Sequence, residues 1–232
     1  MTSIQSSFTG FPPAGLQFLR ELALNNNREW FQAHQQVYEQ QLLVPARLFV
    51  SALGEKLETY SPGIEYDAAS KTGGSILRLH RDVRFSRDKS PYHTQMRLLF
   101  WEGMQKKMEN PGFFLVIEAD GGTLHVGQYQ FSPPHLQSFR QAVISEPTGS
   151  QLEEAIRAVH AAGDYPVGGL HYKKVPLGYP PGHPRAEMLK FNGLYASTQA
   201  IPASLLVKPE LVDLCFEHCR NLSPLHRWLV EL

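Results

Sequence analysis

The feature that most constrains the fold is Asp120-Gly121-Gly122, which lies between two apolar stretches, 113–119 and 123–131. Glycine tolerates the backbone angles of a tight turn, and Asp-Gly between apolar runs is typical of a β-hairpin. A hairpin joins antiparallel neighbours, whereas parallel strands need a long crossover connection. The sequence therefore predicts an antiparallel sheet and argues against a doubly wound parallel architecture.

Apolar periodicity divides the chain into three blocks. Residues 13–60 have the three- to four-residue spacing of helices, and residues 64–131 have the texture of strands. Helical spacing returns in residues 132–232, together with a loop rich in Gly and Pro. A chain of 232 residues can bury one sizeable core. We expect one α+β domain over residues 1–232, with an antiparallel sheet packed against N-terminal and C-terminal helices.

Local signals place several helix boundaries. The run Asn25-Asn26-Asn27 should end the first helix and cap the second, with the alternative that Asn27 and Arg28 face the same pocket as residues 78–84. Ser150 and Glu153 have the spacing of a capping box. Pro209 and Pro224 are each expected to begin a C-terminal helix.

Charge is unevenly distributed although the formal net charge is zero. Residues 71–107 (the first basic island) carry nine cations and three carboxylates, and residues 171–190 (the second basic island) carry four cations and one carboxylate. Local basic islands in an acidic remainder favour a focused anion site over broad adhesion to nucleic acid or membrane.

The strongest candidate site is residues 78–92, which we call the basic segment. It contains five cations, two carboxylates and a histidine. An extended strand would place Arg78, His80, Asp82 and Arg84 on one face and Leu77, Leu79, Val83 and Phe85 on the other. Arg81 would then lie on the apolar face, where we expect a structural role, against a carboxylate of the helical block or at a bulge.

Arginine and lysine in this pattern point to binding of phosphate or carboxylate. The second basic island, on its Gly/Pro loop, could close over the site as a lid or be a solvated loop. The alternative for the basic segment is an internal network in which Asp82 and Asp88 neutralise neighbouring arginines. The expected ligand-binding residues are Arg78, Arg84, Arg87, Lys89, Tyr92, Lys174 and His183.

The predicted function is binding of a phosphorylated or polyanionic small ligand. Acid-base or phosphoryl chemistry would use His80 and Asp82, and whether the protein is an enzyme stays open. Two alternatives remain, a non-catalytic protein that binds a nucleic-acid backbone and an interaction module for an acidic protein partner. We expect no cofactor and no metal, since HExxH, GxGxxG and P-loop motifs are absent from the sequence. The oligomeric state is not indicated.

The sequence also bears on the compartment. Cys215 and Cys219 are the two cysteines, and their spacing on one helix face is unfavourable for a disulfide, which favours a reducing environment. There is no apolar run of membrane-spanning length and no visible secretory signal. We therefore expect a cytoplasmic protein with no membrane partner.

Several motifs together resemble the domain-of-unknown-function 2461 family. The RD-x-RFS-x-DK-x-PY string of the basic segment is the most specific of them. The resemblance spans roughly residues 11–230 and implies a single-domain soluble protein, without a settled activity. His93 departs from it, because the family pattern leads us to expect a lysine there. The other motifs are 25–31, Gly127-x-Tyr129 followed by Leu136 and Arg140, and Lys173-Lys174-x-Pro176-x-Gly178-Tyr179 followed by His183-Pro184 and Leu189.

Overall fold

The computed structural model of the chain describes residues 7–69 and 74–232, so Lys71 of the first basic island lies outside the described residues. The helices are α1 (Pro13–Leu24), α2 (Arg28–Ala33), α3 (Gln35–Tyr38), α4 (Val44–Glu58), α5 (Pro133–Ile144), α6 (Thr148–Ala162), α7 (Ala203–Leu206) and α8 (Leu211–Val230). The strands are β1 (Ile64–Glu65), β2 (Met96–Glu102), β3 (Gly112–Glu118), β4 (Gly121–Gln128), β5 (Val167–Leu170), β6 (Phe191–Ser197) and β7 (Ile201–Pro202). A π-helical turn covers Glu39–Leu43, and 3-10 turns cover Lys107–Glu109 and Met188–Lys190.

The strands form one seven-stranded sheet in the order β1-β2-β3-β4-β6-β5, with β7 paired to β4. β4 is antiparallel to β6, with His125 opposite Ser197 and Gln128 opposite Leu194. β5 is antiparallel to β6 in turn. β3 and β4 are separated by two residues, as the Asp-Gly-Gly signal predicts. The α+β architecture with an antiparallel sheet is confirmed.

Contacts divide the chain into two compact units. Unit 1 comprises the described residues of Met1–Phe100, Phe114–Leu124 and Ala200–Glu217. Unit 2 comprises Trp101–Phe113, His125–Gln199 and His218–Leu232. The basic segment belongs to unit 1 and the second basic island to unit 2.

The helical part of unit 1 packs closely around α1. Leu19 and Leu22 of α1 and Phe49 of α4 are almost completely buried. Gly15 lets α1 approach the π-helical turn, since a Cβ on Gly15 would lie only 2.3 Å from the carbonyl oxygen of Gln41. Phe18 of α1 also contacts Phe31 of α2, on whose ring Tyr92 of the basic segment stacks.

Unit 2 has its own apolar core beneath α5 and α6. Phe139 of α5 is fully buried, as are Leu152 and Val159 of α6. Trp228 of α8 packs edge-to-face on Phe139, and its indole nitrogen donates a 3.0 Å hydrogen bond to the carbonyl of Thr148 at the start of α6.

The structure corrects two predicted helix boundaries. α6 begins at Thr148, so Ser150 lies inside the helix and the capping box is wrong. The Ser150 hydroxyl instead accepts a hydrogen bond from Arg185. α8 continues through Pro224, which was expected to begin a separate helix. Leu222 and Leu225 are fully buried beside that proline, and their burial offsets the lost backbone hydrogen bond.

No helix among the described residues combines the length and apolarity needed to cross a bilayer. Cys215 and Cys219 are buried in α8 and do not form a disulfide with each other. Burial raises the pKa of the Cys215 thiol to about 12, so this cysteine is an inert core residue.

Candidate functional site

The backbone of the basic segment is a loop with two short paired arms, which differs from the extended strand that alternation predicts. His80 and Tyr92 form an isolated antiparallel bridge. The amide of Arg81 donates to the carbonyl of Pro91 at 2.8 Å, and the amide of His93 donates to that of Leu79 at 2.7 Å. These contacts pair residues 79–81 with residues 91–93, which are the two arms. Residues 82–90 are the loop that connects them.

Local hydrogen bonds explain why the strand ends early. Asp82 accepts a 3.2 Å hydrogen bond from the amide of Arg84, and the amide of Ser86 donates to the carbonyl of Val83 at 3.3 Å. Aspartate side chains that bond nearby amides favour turns over strands. Phe85 consequently lies at the loop with 95% of its surface exposed, so its predicted place on an apolar face is wrong.

Asp82 and Arg84 form the first ion pair of the loop. Arg84 Nε lies 3.0 Å from Oδ1 of Asp82, and its Nη2 lies 2.7 Å from Oδ2. Hydrogen bonding from Arg84 lowers the pKa of Asp82 below its usual range. Asp82 therefore fixes the orientation of Arg84 and is a weak proton acceptor for the acid-base role predicted for it with His80.

Asp88 forms the second ion pair and organises the far side of the loop. It accepts from the amide of Ser90 at 2.9 Å, from the Ser90 hydroxyl at 2.6 Å and from Arg81 Nη1 at 2.5 Å. These bonds, with those from Ser90 contributing most, lower the pKa of Asp88 to about 2. Arg81 also donates to the carbonyl of Ser90. The expected structural role of Arg81 is confirmed, but its carboxylate partner comes from the loop itself.

Three cations of the basic segment are left outside these two ion pairs. Among the described residues, no carboxylate lies within ion-pair distance of the side chains of Arg78, Arg87 or Lys89. All three residues are exposed. Lys89 Nζ donates a 3.0 Å hydrogen bond to the carbonyl of Val83, which holds the ammonium group near the turn. The loop thus presents a local positive charge that its own carboxylates do not neutralise.

The aromatic end of the segment belongs to the core of unit 1. Tyr92 is 4% exposed, and its ring stacks on Phe31 with the ring centres 4.2 Å apart. His80 is exposed and lies edge-on to Tyr92 at 4.8 Å. Phe31 covers one face of the buried Tyr92 ring, and packing of Tyr92 on a ligand stays a prediction.

Asn26 is a residue whose role the sequence reasoning missed. Asn27 caps α2 as predicted, because its side chain accepts a 2.9 Å hydrogen bond from the amide of Trp30. The side chain of Asn26 instead bonds both the amide and the carbonyl of Tyr92. Capping one helix requires only one asparagine. The run of three asparagines was therefore the sequence signal that another of them bonds a different part of the chain.

The two predicted residues of the second basic island differ in their surroundings. Lys174 is exposed, whereas His183 is half-buried and its Nδ1 accepts a 3.0 Å hydrogen bond from the amide of Arg185. Arg185 is buried, and its guanidinium forms ion pairs with Glu146 and Glu153. His183 thus helps to shape the turn that carries a structural arginine, and ligand binding by Lys174 and His183 stays a prediction.

A comparison with protein-family models shows the family of the chain. Residues 14–228 match the family model described as conserved hypothetical protein, DUF2461. The chain belongs to the DUF2461 family. No curated protein matches the chain.

His93, the departure from the expected family pattern, lies next to the arms of the loop. Burial and the nearby charges of Arg97 and Arg81 lower the pKa of His93 to about 4. The imidazole is therefore neutral at pH 7, and this DUF2461 chain has no fixed cation at position 93. The positive charge of the loop comes from its arginines and lysine.

No group of three or more His, Cys, Asp or Glu side chains within residues 7–69 and 74–232 is arranged to hold a metal ion. The groups that the basic segment exposes are guanidinium and ammonium hydrogen-bond donors.

Proposed function

We propose that the protein binds a phosphorylated or otherwise polyanionic small ligand on the exposed cations of the basic segment. The observation that supports this proposal is the positive charge of the basic segment that its carboxylates do not neutralise. Asp82 and Asp88 each engage one arginine, while Arg78, Arg87 and Lys89 remain exposed. An ion-pair network built only for stability would have no need of these three further cations.

The guanidinium and ammonium groups suit a phosphate. Arginine can donate two parallel hydrogen bonds to one phosphate, and lysine adds a mobile point charge. Arg84 also retains donors, since its recorded bonds to Asp82 use Nε and Nη2 and leave Nη1 for a ligand. Several cations in one loop raise the local concentration of an anion.

The side chains of the basic segment hold one another in position. Asp88 holds Ser90 and Arg81, and Asp82 holds Arg84 in a defined orientation. Ordering of loops and side chains on binding lowers affinity, so these internal contacts reduce that cost. The proposal is for binding, and catalysis by His80 and Asp82 remains outside it because the carboxylate of Asp82 is engaged by Arg84.

Calorimetric titration with pyrophosphate and with a sugar bisphosphate tests this function. Arg87→Ala and Arg78→Ala should each weaken binding about fivefold or more, because each removes a charge-assisted contact worth about 1 kcal/mol or more. Arg220→Ala, which removes an exposed arginine of α8, is the matched control and should leave affinity unchanged. Equal affinities for wild type and both loop variants would contradict the proposal.

A second candidate function is binding of single-stranded nucleic acid, and Phe85 favours it. Its ring is almost fully exposed, and the guanidinium carbon of Arg84 lies 5.8 Å from the ring centre. Single-strand binding proteins combine exposed aromatic rings, on which bases stack, with cations that follow the backbone.

Fluorescence anisotropy with a labelled 15-nucleotide oligothymidine distinguishes the two functions. Nucleic-acid binding should show a steep dependence on salt and weaken markedly in Phe85→Ala. Small-ligand binding should be unaffected by Phe85→Ala. Failure of pyrophosphate, the sugar bisphosphate and the oligonucleotide alike would contradict both functions and favour the acidic protein partner.

A further inference from the structure

Unit 2 contains a cavity that the basic segment does not contribute to. Its volume is about 570 Å³, and it is lined by the last residue of β2 and residues after it, by the start of α5 and by the end of α8. Pockets that hold small organic ligands have volumes of about 300–1,000 Å³, lined by apolar side chains and a few oriented polar groups. All of its lining residues belong to unit 2.

The charge of this cavity is opposite to that of the basic segment. Glu102 and Glu109 line it, and the described lining residues include no lysine or arginine. Pro111, Pro134 and Leu229 supply apolar surface. A cavity with carboxylates and apolar walls is complementary to a cation that carries a hydrocarbon body.

Glu102 is held in position by a buried histidine. Nε2 of His226 lies 2.8 Å from Oε2 of Glu102, and His226 is completely buried. Nδ1 of His226 has no hydrogen-bond partner. The hydrogen bond between Nε2 and Oε2 fixes the orientation of the Glu102 carboxylate at the cavity wall.

A second histidine at the cavity is oriented by a buried amide. Gln128 is 3% exposed, and its Nε2 donates to the carbonyl of Glu109 at 2.7 Å. The same nitrogen lies 3.3 Å from Nδ1 of His135, which lines the cavity. Because the Gln128 nitrogen is a donor, His135 Nδ1 accepts, and the neutral His135 ring carries its proton on Nε2. The cavity walls thus include an oriented carboxylate and an oriented N–H donor.

We propose that this cavity binds a small organic ammonium compound. The ammonium group pairs with Glu102, and Glu109 adds negative charge to the same space. The hydrocarbon part of the ligand packs against Leu229 and Pro111. The Nε2–H of His135 donates to a hydroxyl or carbonyl oxygen where the ligand carries one. This site takes the opposite charge class from the ligand proposed for the basic segment and does not rest on that function.

Benzylammonium is the probe, with benzyl alcohol and benzoate as neutral and anionic analogues of the same shape. Calorimetric or NMR titration of the whole chain should give a dissociation constant for benzylammonium below about 1 mM. Its affinity should exceed that for benzyl alcohol and benzoate by about tenfold or more. Equal affinity for benzylammonium and benzyl alcohol, or no binding of benzylammonium at 10 mM (roughly ten times the expected constant), overturns the proposal.

Variants locate the binding site. Glu102→Gln keeps an acceptor for His226 and removes the charge, so the affinity for benzylammonium should fall about tenfold. Glu154→Gln removes an exposed carboxylate of α6 outside the cavity and should have no effect.

A blocking variant keeps the test decisive if Glu102→Gln fails to fold. Ser138 lines the cavity from the exposed side of α5, so Ser138→Phe should fill it at little cost in stability. Benzylammonium binding should then be lost while the melting temperature is retained. Undiminished binding in folded Ser138→Phe overturns the assignment to this cavity.

Discussion

Asn26 and Tyr92 are joined by a reciprocal pair of hydrogen bonds between a side-chain amide and a backbone. Asn26 Nδ2 donates to the Tyr92 carbonyl at 2.9 Å, and the Tyr92 amide donates to Asn26 Oδ1 at 3.0 Å. The pair has the pattern of two residues facing each other in a β-sheet, although 66 residues separate them in the chain. It attaches the arm of the basic segment that contains Tyr92 to the turn before α2.

Asn26→Ala should destabilise the protein by about 2 kcal/mol, because two hydrogen bonds of about 1 kcal/mol each are lost at a partly buried backbone. Urea unfolding of wild type and variant measures the difference. Gln32→Ala, at an exposed position of α2, is the control and should change stability by less than about 0.5 kcal/mol. A similar small change in Asn26→Ala would show that water replaces these bonds without cost.

Tyr92 should behave as a core residue. Tyr92→Ala is expected to cost about 3 kcal/mol, since a buried ring stacked on Phe31 is removed. Tyr92→Phe keeps the ring and should change the free energy of unfolding by less than about 0.5 kcal/mol. Pyrophosphate affinity, measured in parallel, should be unchanged in Tyr92→Phe. A clear loss of affinity would indicate that the Tyr92 hydroxyl contacts the ligand.

Gly15→Ala should destabilise the protein although alanine is the better helix former. The added Cβ would lie 2.3 Å from the Gln41 carbonyl oxygen, and relieving such overpacking costs about 1–3 kcal/mol. Gly182→Ala is the matched control, because nothing lies within 4 Å of its added Cβ. Thermal unfolding of both variants checks this, and an unchanged or raised melting temperature for Gly15→Ala would contradict the tight contact.

His93 should make stability depend on pH in a mildly acidic window. Its folded-state pKa of about 4 lies below the ordinary value of 6.5, so the unfolded chain binds the proton more readily. The stability contributed by the neutral ring is complete above pH 6.5 and is lost as pH falls from 6.5 to about 4. The His93→Gln variant lacks this pH-dependent contribution to the free energy of unfolding.

Urea unfolding at pH 7.0, 5.5 and 4.5 (set about evenly across the window) measures this dependence. The stability advantage of wild type over His93→Gln should shrink as pH falls. A constant difference across these pH values would show that His93 is not desolvated, and NMR titration of the His93 ring would give its pKa directly.

Local sequence determined the secondary structure with few exceptions. Asp120-Gly121-Gly122 encoded the hairpin, and Asn27 encoded the start of α2, because turns and caps depend on residues within a few positions of each other. The exceptions arise where packing overrides local preference. α8 continues through Pro224 because apolar side chains on both sides of it are buried.

The basic segment shows where pattern reasoning about a site succeeds and where it fails. The excess of three cations over the carboxylates of the basic segment follows from composition, and the structure leaves Arg78, Arg87 and Lys89 exposed. Alternation placed Phe85 on a buried face, but the short-range bonds of Asp82 end the extended backbone before Phe85 is reached.

The sequence by itself determined the antiparallel α+β fold and the presence of the cation-rich basic segment, because both follow from neighbouring residues. Only the tertiary structure decided that the middle of this segment is a loop, which of its side chains are exposed, and which groups meet from distant parts of the chain. Glu102 and His226 are 124 residues apart, yet their side chains lie in hydrogen-bond contact. Periodicity reports the preference of a segment for a buried face, whereas burial and pairing depend on the other segments that pack against it.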